Sequence, residues 1–257
     1  MKIKLLTLIL FLVPLNVFSV STGELIQTAS DSFARLIFLI PAVVFGIGLR
    51  GAFIAKKVIV LGDHFSQRGR SWNPLDYLDP SGSLAGLFFM FGWPHRADFD
   101  RRMFKNPKMD EWRLYLSASV FNFLLALIGI LLLFMLSLIS VHLPQFIVRN
   151  LGLVFSMFAA TNLMISIYSF LPFFPLPGYD LLYRNLSPVS RHKLDHYRSV
   201  TMLILMVILF LFGHVLAAPV SALLSILLKT NPFLLTSVSL VIASWLFLVE
   251  LKVRAKD

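Results

Sequence analysis

The sequence predicts an all-α polytopic membrane protein, on three observations: repeated long apolar runs, a composition too apolar for a water-soluble surface, and basic residues gathered in alternate connecting segments. Of 257 residues, 58% are hydrophobic and 25 are Phe, and mean hydropathy is +0.82. A soluble domain of this size needs a largely polar surface. Crossing a bilayer takes about 20 mostly apolar residues. Runs of that kind extend from about Phe33 to Leu49, Leu114 to Val141, Leu151 to Pro172, Val200 to Ala218 and Phe233 to Leu251.

Ahead of them, "MKIKLLTLILFLVPLNVFS" has a basic start, an apolar centre and small residues at Ser19 and Ser21. That pattern reads as a signal peptide over 1–21, with an uncleaved N-terminal anchor helix as the alternative. The chain then divides into a membrane core over 33–218 and a C-terminal part over 219–257, made of one more transmembrane helix and a short basic tail.

Lys and Arg set the orientation. Lys56, Lys57, Arg68, Arg70, Arg96, Arg101, Arg102, Lys105, Lys108 and Arg113 fall in one long loop; Arg184, Arg191, Lys193 and Arg198 in another; Lys252, Arg254 and Lys256 near the C-terminus. The alternate loops carry only Arg149 and Lys229. By the positive-inside rule, the basic loops and the C-terminus face the cytoplasm. The net charge of +10 has the same cause, so a lipid bilayer and not nucleic acid is the partner it implies. The absence of Cys excludes disulfides and thiolate zinc sites.

The long loop holds turn signals: Asn73-Pro74, Asp79-Pro80 with Gly82, and Asn106-Pro107. Within it "SLAGLFFMFGW" is too short to span and reads as a membrane-associated strand hairpin or re-entrant segment. Further on, "FLPFFPLPGYDLL" (170–182) places Pro172, Pro175, Pro177 and Gly178 behind an apolar run. Proline removes backbone donors, and in lipid such a break survives only where protein or a cavity covers the freed groups. It marks a candidate site.

In order and spacing, Gly62-Asp63, Gly69-Arg70, Asn73-Pro74-Leu75, Asp79-Pro80-x-Gly82, Phe91-Gly92-Trp93, Asn106-Pro107 and a helix carrying Asn122 resemble the site-2 protease family of intramembrane zinc metalloproteases. "NLMISIYSFLPFFPLPG" (162–178) is similar to that family's proline break, which ends in Leu-Asp-Gly. The resemblance covers roughly Phe33 to Val215 and implies a site-2-protease-like transmembrane core. In the family, zinc is held by the two His of an HExxH helix and the Asp of Leu-Asp-Gly, while the Glu activates water. A catalytic zinc needs three protein ligands and an open position.

This sequence departs from that pattern at its reaction centre. At the family's spacing the HExxH window falls on "RGAFI": Arg50 and Ile54 stand for the histidines and Gly51 for the glutamate. Pro177 stands for the aspartate, and Ser169 for an Asn of the break. No HExxH occurs elsewhere. Ser117-Ala118-Ser119 and Arg96-Ala97-Asp98-Phe99 replace two further family motifs. The resemblance therefore implies a pseudoprotease with no catalytic residues, no metal and no cofactor. It implies a binding or scaffolding role toward a membrane-protein partner, in the membrane a bacterial inner membrane would provide. The expected groove consists of Ser169, Pro172, Phe173, Phe174, Pro175, Gly178, Phe89 and Trp93. Across the vacated centre an ion pair between Arg50 and Asp180, direct or water-bridged, is expected, because a guanidinium in the membrane must find an acceptor or reach the interface.

Other constellations are weaker. His192 and His196 with Asp195 share a helix face, but Lys193 sits where a base is needed and a solvated amphipathic helix is the simpler reading. His214 reads as a buried or cavity histidine, while His64 and His95 lack partners at ligand spacing. Glu250 and Lys252 fit a membrane boundary. Two other readings remain: an active zinc protease with unrecognised ligands, and a transporter or channel subunit. The second is disfavoured by how few ionisable residues the spans contain.

Overall fold

A computed structural model describes residues 36–64 and 71–254, with side chains described up to Ser244 apart from Phe233. The expected signal peptide lies outside the described residues. The chain divides into two units, Met1–Ile37 and Phe38–Asp257.

Helices dominate, as the apolar runs require: with no water to satisfy peptide groups, each span must bond within itself. α1 (Leu49–Val60) follows a π-helical turn at Val44–Gly48, and both belong to the apolar span Leu36–Val60. After it come α2 (Pro80–Phe89), α3 (Pro107–Ile139), α4 (Gln145–Tyr168), α5 (Pro177–Asn185), α6 (Pro188–His196), α7 (Arg198–Lys229) and α8 (Pro232–Arg254). Among the described residues four helices are long and apolar enough to cross a membrane: Leu36–Val60, Pro107–His142, Gln145–Tyr168 and Arg198–Lys229. The chain is an all-α polytopic membrane protein.

The expected boundary between 218 and 219 falls inside α7, which continues through Pro219 to Lys229. "SLAGLFFMFGW" is no hairpin: most of it belongs to α2, and the segment around it makes a single isolated bridge, Leu78 to Pro94. Capping explains the helix. Pro80 opens it at a position where the missing N–H costs nothing. The Asp79 carboxylate accepts the N–H of Gly82 at 2.8 Å, and Met90 closes the helix in the left-handed region at φ 57°. Leu87 and Phe89 pack onto the main apolar cluster around Val43, Ile47 and Trp93, leaving Leu84 and Phe88 on the exposed side.

The turn motifs of the long loop tie it to the helices. Asn73 caps a 3-10 turn at Pro74–Tyr77, accepting the Leu75 N–H at 3.2 Å. At the end of α1, Gly62 adopts φ +120°, where a side chain would meet the Met103 carbonyl at 2.6 Å. Beside it, buried Asp63 accepts the N–H of Asp100 at 2.9 Å. The loop before α3 is thereby fastened to the end of α1.

α3 and α4 are joined by the short link 140–144 and pack antiparallel along their lengths. They meet closely at Gly129, where a Cβ would lie 3.1 Å from that of Ala159. α1 and α8 pack against α3, and α7 against α4, with the Tyr168 hydroxyl donating to the Leu216 carbonyl at 2.8 Å. The site lies where α1, α3, the end of α4 and the proline break converge.

Candidate functional site

At the centre of this convergence is Arg50, 1% exposed. Its Nη1 donates to the Ala118 carbonyl at 2.9 Å and to Asn122 Oδ1 at 2.8 Å. Asn122 passes the chain on: its Nδ2 donates to the Gly46 carbonyl at 3.1 Å and to Asn162 Oδ1 at 2.8 Å. Asn162 Nδ2 then reaches the Phe158 carbonyl at 2.8 Å. One buried polar network thus links α1, α3 and α4. A network of this kind specifies the packing of its helices, because each lost partner would strand a desolvated group; the one atom it leaves without a partner is Arg50 Nη2.

Gly51 follows from the same approach of backbones. A Cβ there would lie 2.5 Å from the Tyr77 Cβ and 2.9 Å from the Pro94 Cβ. No side chain fits, so a glutamate is excluded by packing as well as by identity. Ile54 is buried in a second apolar cluster with Leu114, Tyr115 and Leu181. Pro177 is the first residue of α5, which carries Asp180 into the site.

Asp180 is 4% exposed. Oδ1 forms an ion pair with Arg96 Nη2, and Oδ2 accepts from the Tyr115 hydroxyl at 3.0 Å. Burial holds its carboxyl above the usual range, against the opposing pull of Arg96 and of the Tyr115 hydrogen bond. The direct Arg50–Asp180 pair expected from the sequence is therefore not formed: Arg50 finds acceptors on α3 at 118 and 122, and Arg96 takes Asp180. What the two do share is a cavity of about 30 Å³, which both line together with Ile54, Trp93, Tyr115 and Pro177.

The expected groove residues do not make one open surface. Trp93 and Pro175 face the small cavity. Phe89 and Phe173 pack on the main apolar cluster. Ser169 is buried, its hydroxyl 2.7 Å from that of Ser119. Gly178 lies under the chain, where a Cβ would be 2.0 Å from the Phe170 carbonyl. Phe174 lies against two cations, with the Arg198 guanidinium 5.0 Å and that of Arg96 5.8 Å from its ring centre; Pro172 alone of the set is exposed. A larger apolar cleft of about 390 Å³ opens nearby between α3, α4 and α8, lined by Leu116, Ser119, Val120, Phe123, Ser166, Phe170 and Ile242. Its floor touches the break through the Ser119–Ser169 pair.

Sequence reasoning missed four residues. Arg96 appeared only as a basic loop residue and, with Ser119, as a departure from family motifs; Tyr115 and Glu111 did not appear at all. Glu111, 2% exposed, sits 2.8 Å from Arg184 and 3.6 Å from Arg101. The available signal was the charged first turns of α3, Lys108, Asp110, Glu111 and Arg113, leading straight into an apolar run where a buried charge needs a partner.

The residues present do not fit a zinc ion. A guanidinium offers no lone pair, Ile54 and Pro177 offer no donor, and Asp180 is committed to Arg96 and Tyr115. Among the described residues no three His, Cys, Asp or Glu side chains form a metal-binding group. His192 and His196 lie exposed on α6, beside Asp195, which pairs with Arg198 at 2.8 Å and accepts from Tyr183 at 2.6 Å. His214, expected to be buried or in a cavity, is exposed on α7. His95 reaches the small cavity, and His64 is exposed. Side chains at 250 and 252 lie outside the description.

Comparison with known proteins agrees with the resemblance. No family profile matches the chain, and no solved structure does. A curated protein of Bacillus subtilis (strain 168) named "Putative zinc metalloprotease YwhC" is 29% identical over 162 residues, covering 62% of this chain and 73% of that protein. This similarity supports placing the chain near the site-2 proteases.

Proposed function

We propose that this protein is a non-catalytic, site-2-protease-like membrane protein that binds or scaffolds a membrane-protein partner. One observation carries the reading: at the place of the first metal ligand stands buried Arg50, bonded to Ala118 and Asn122, beside a Gly51 whose surroundings admit no side chain. The fold is kept and the hydrolytic centre is replaced by a structural network. The protein sits in a bacterial inner membrane with its basic loops and C-terminus in the cytoplasm, as the Lys and Arg distribution implies.

The apolar cleft between α3, α4 and α8 is the place for the partner. It has the size of a side-chain-accepting groove, is lined by apolar residues with two serines at its base, and borders the proline break where active relatives act on a transmembrane segment. A photo-crosslinking residue at Leu116 or Val120 tests this in native membranes. Discrete protein adducts, absent when the residue is placed at Leu138 on the same helix, are the expected result. Adducts to lipid alone at all three positions would refute it.

A further inference from the structure

We propose that the small cavity at Arg50 is a binding site for one small monovalent anion, a halide or a carboxylate. Arg50 belongs to an apolar span and is 1% exposed, and its guanidinium stays charged at any accessible pH. Both acceptors it has are neutral, the Ala118 carbonyl and the Asn122 amide, and both are used by Nη1. Its Nη2 is buried with no acceptor at all. Asp180, the one carboxylate lining the cavity, has each oxygen engaged elsewhere, by Arg96 and by Tyr115. The lining thus holds two guanidinium groups against one carboxylate. A buried charge left without a counter-ion is strongly unfavourable. Water filling the cavity would offer Nη2 an acceptor but no charge, whereas an anion supplies both.

Size fixes the class of ligand. A cavity of about 30 Å³ holds two or three waters by the usual requirement of roughly 10–15 Å³ each. That is room for one monatomic anion or the end of a carboxylate, and not for a phosphate or sulfate. Arg96, its side chain 34% exposed, stands on the cavity wall within reach of solvent and gives an anion a charged route inward. The inference rests on this geometry and not on the scaffold reading.

The test is thermal unfolding of the full chain in detergent at constant ionic strength, with gluconate replaced stepwise by chloride or by formate. A saturable rise of the midpoint by about 2–4 °C is expected. A response to chloride alone identifies a halide site; a response to formate as well identifies one open to carboxylates. Ala97→Leu, which fills the cavity from its wall and leaves Arg50 in place, abolishes the response, as does Arg50→Gln if that variant folds. Equal midpoints in all three anions would mean that water alone fills the cavity. A response unchanged in Ala97→Leu would put the anion elsewhere, and either result overturns the proposal.

Discussion

At Gly51 the packing admits no Cβ. The α1 backbone there approaches Tyr77 and Pro94 so closely that even a methyl group would sit at 2.5 and 2.9 Å from their Cβ atoms, both fixed to backbone and unable to swing away. Gly51→Ala is therefore expected to destabilise the protein by roughly 1–3 kcal/mol, the range for overpacking, although Ala is the better helix former in an open site. Thermal unfolding in detergent checks it; an Ala variant as stable as the parent would mean the loop can yield. At this scale the sequence was half legible. That Arg50, Gly51 and Ile54 occupy neighbouring places in one helix could be read from "RGAFI" directly. That Arg50 bonds to 118 and 122 and not to Asp180 could not, because the choice depends on how α3 lies across α1, and residues about 70 positions away carry no mark of that contact. Arg96 was visible as a basic residue in a basic loop, which gave no hint of its carboxylate.

Among the elements, the long helices followed from hydropathy alone, while α2 did not. A short apolar run has no periodicity long enough to tell a strand from a buried helix, and here the deciding features were the caps at Asp79 and Met90. α2 turns Leu87 and Phe89 inward and leaves Leu84 and Phe88 exposed at 47% and 41%. An apolar face of this kind on a loop helix belongs in the interfacial lipid. Since the chain has no Cys, single cysteines report cleanly. In native membranes, Leu84→Cys and Phe88→Cys are expected to react slowly with a water-soluble maleimide, and Leu75→Cys, on the capped turn and 59% exposed, quickly. Equal, fast labelling at all three positions would show that α2 stands in water.

Taken whole, the molecule joins its helices, the long loop and the proline break around a buried, hydrogen-bonded cation, Arg50; on the proposed reading it stands where a metal would join them. Arg50, Asn122 and Asn162 connect α1, α3 and α4, which makes the centre a fastening between helices; on the proposed reading it holds no group to activate water. The measurement that bears on this most directly is the zinc content of the purified full chain, determined by elemental analysis after incubation with excess zinc and removal of loosely bound ion. The account predicts far less than one equivalent, with no difference between the parent and Asp180→Asn. About one equivalent of tightly held zinc per chain, lost in Asp180→Asn, would contradict it.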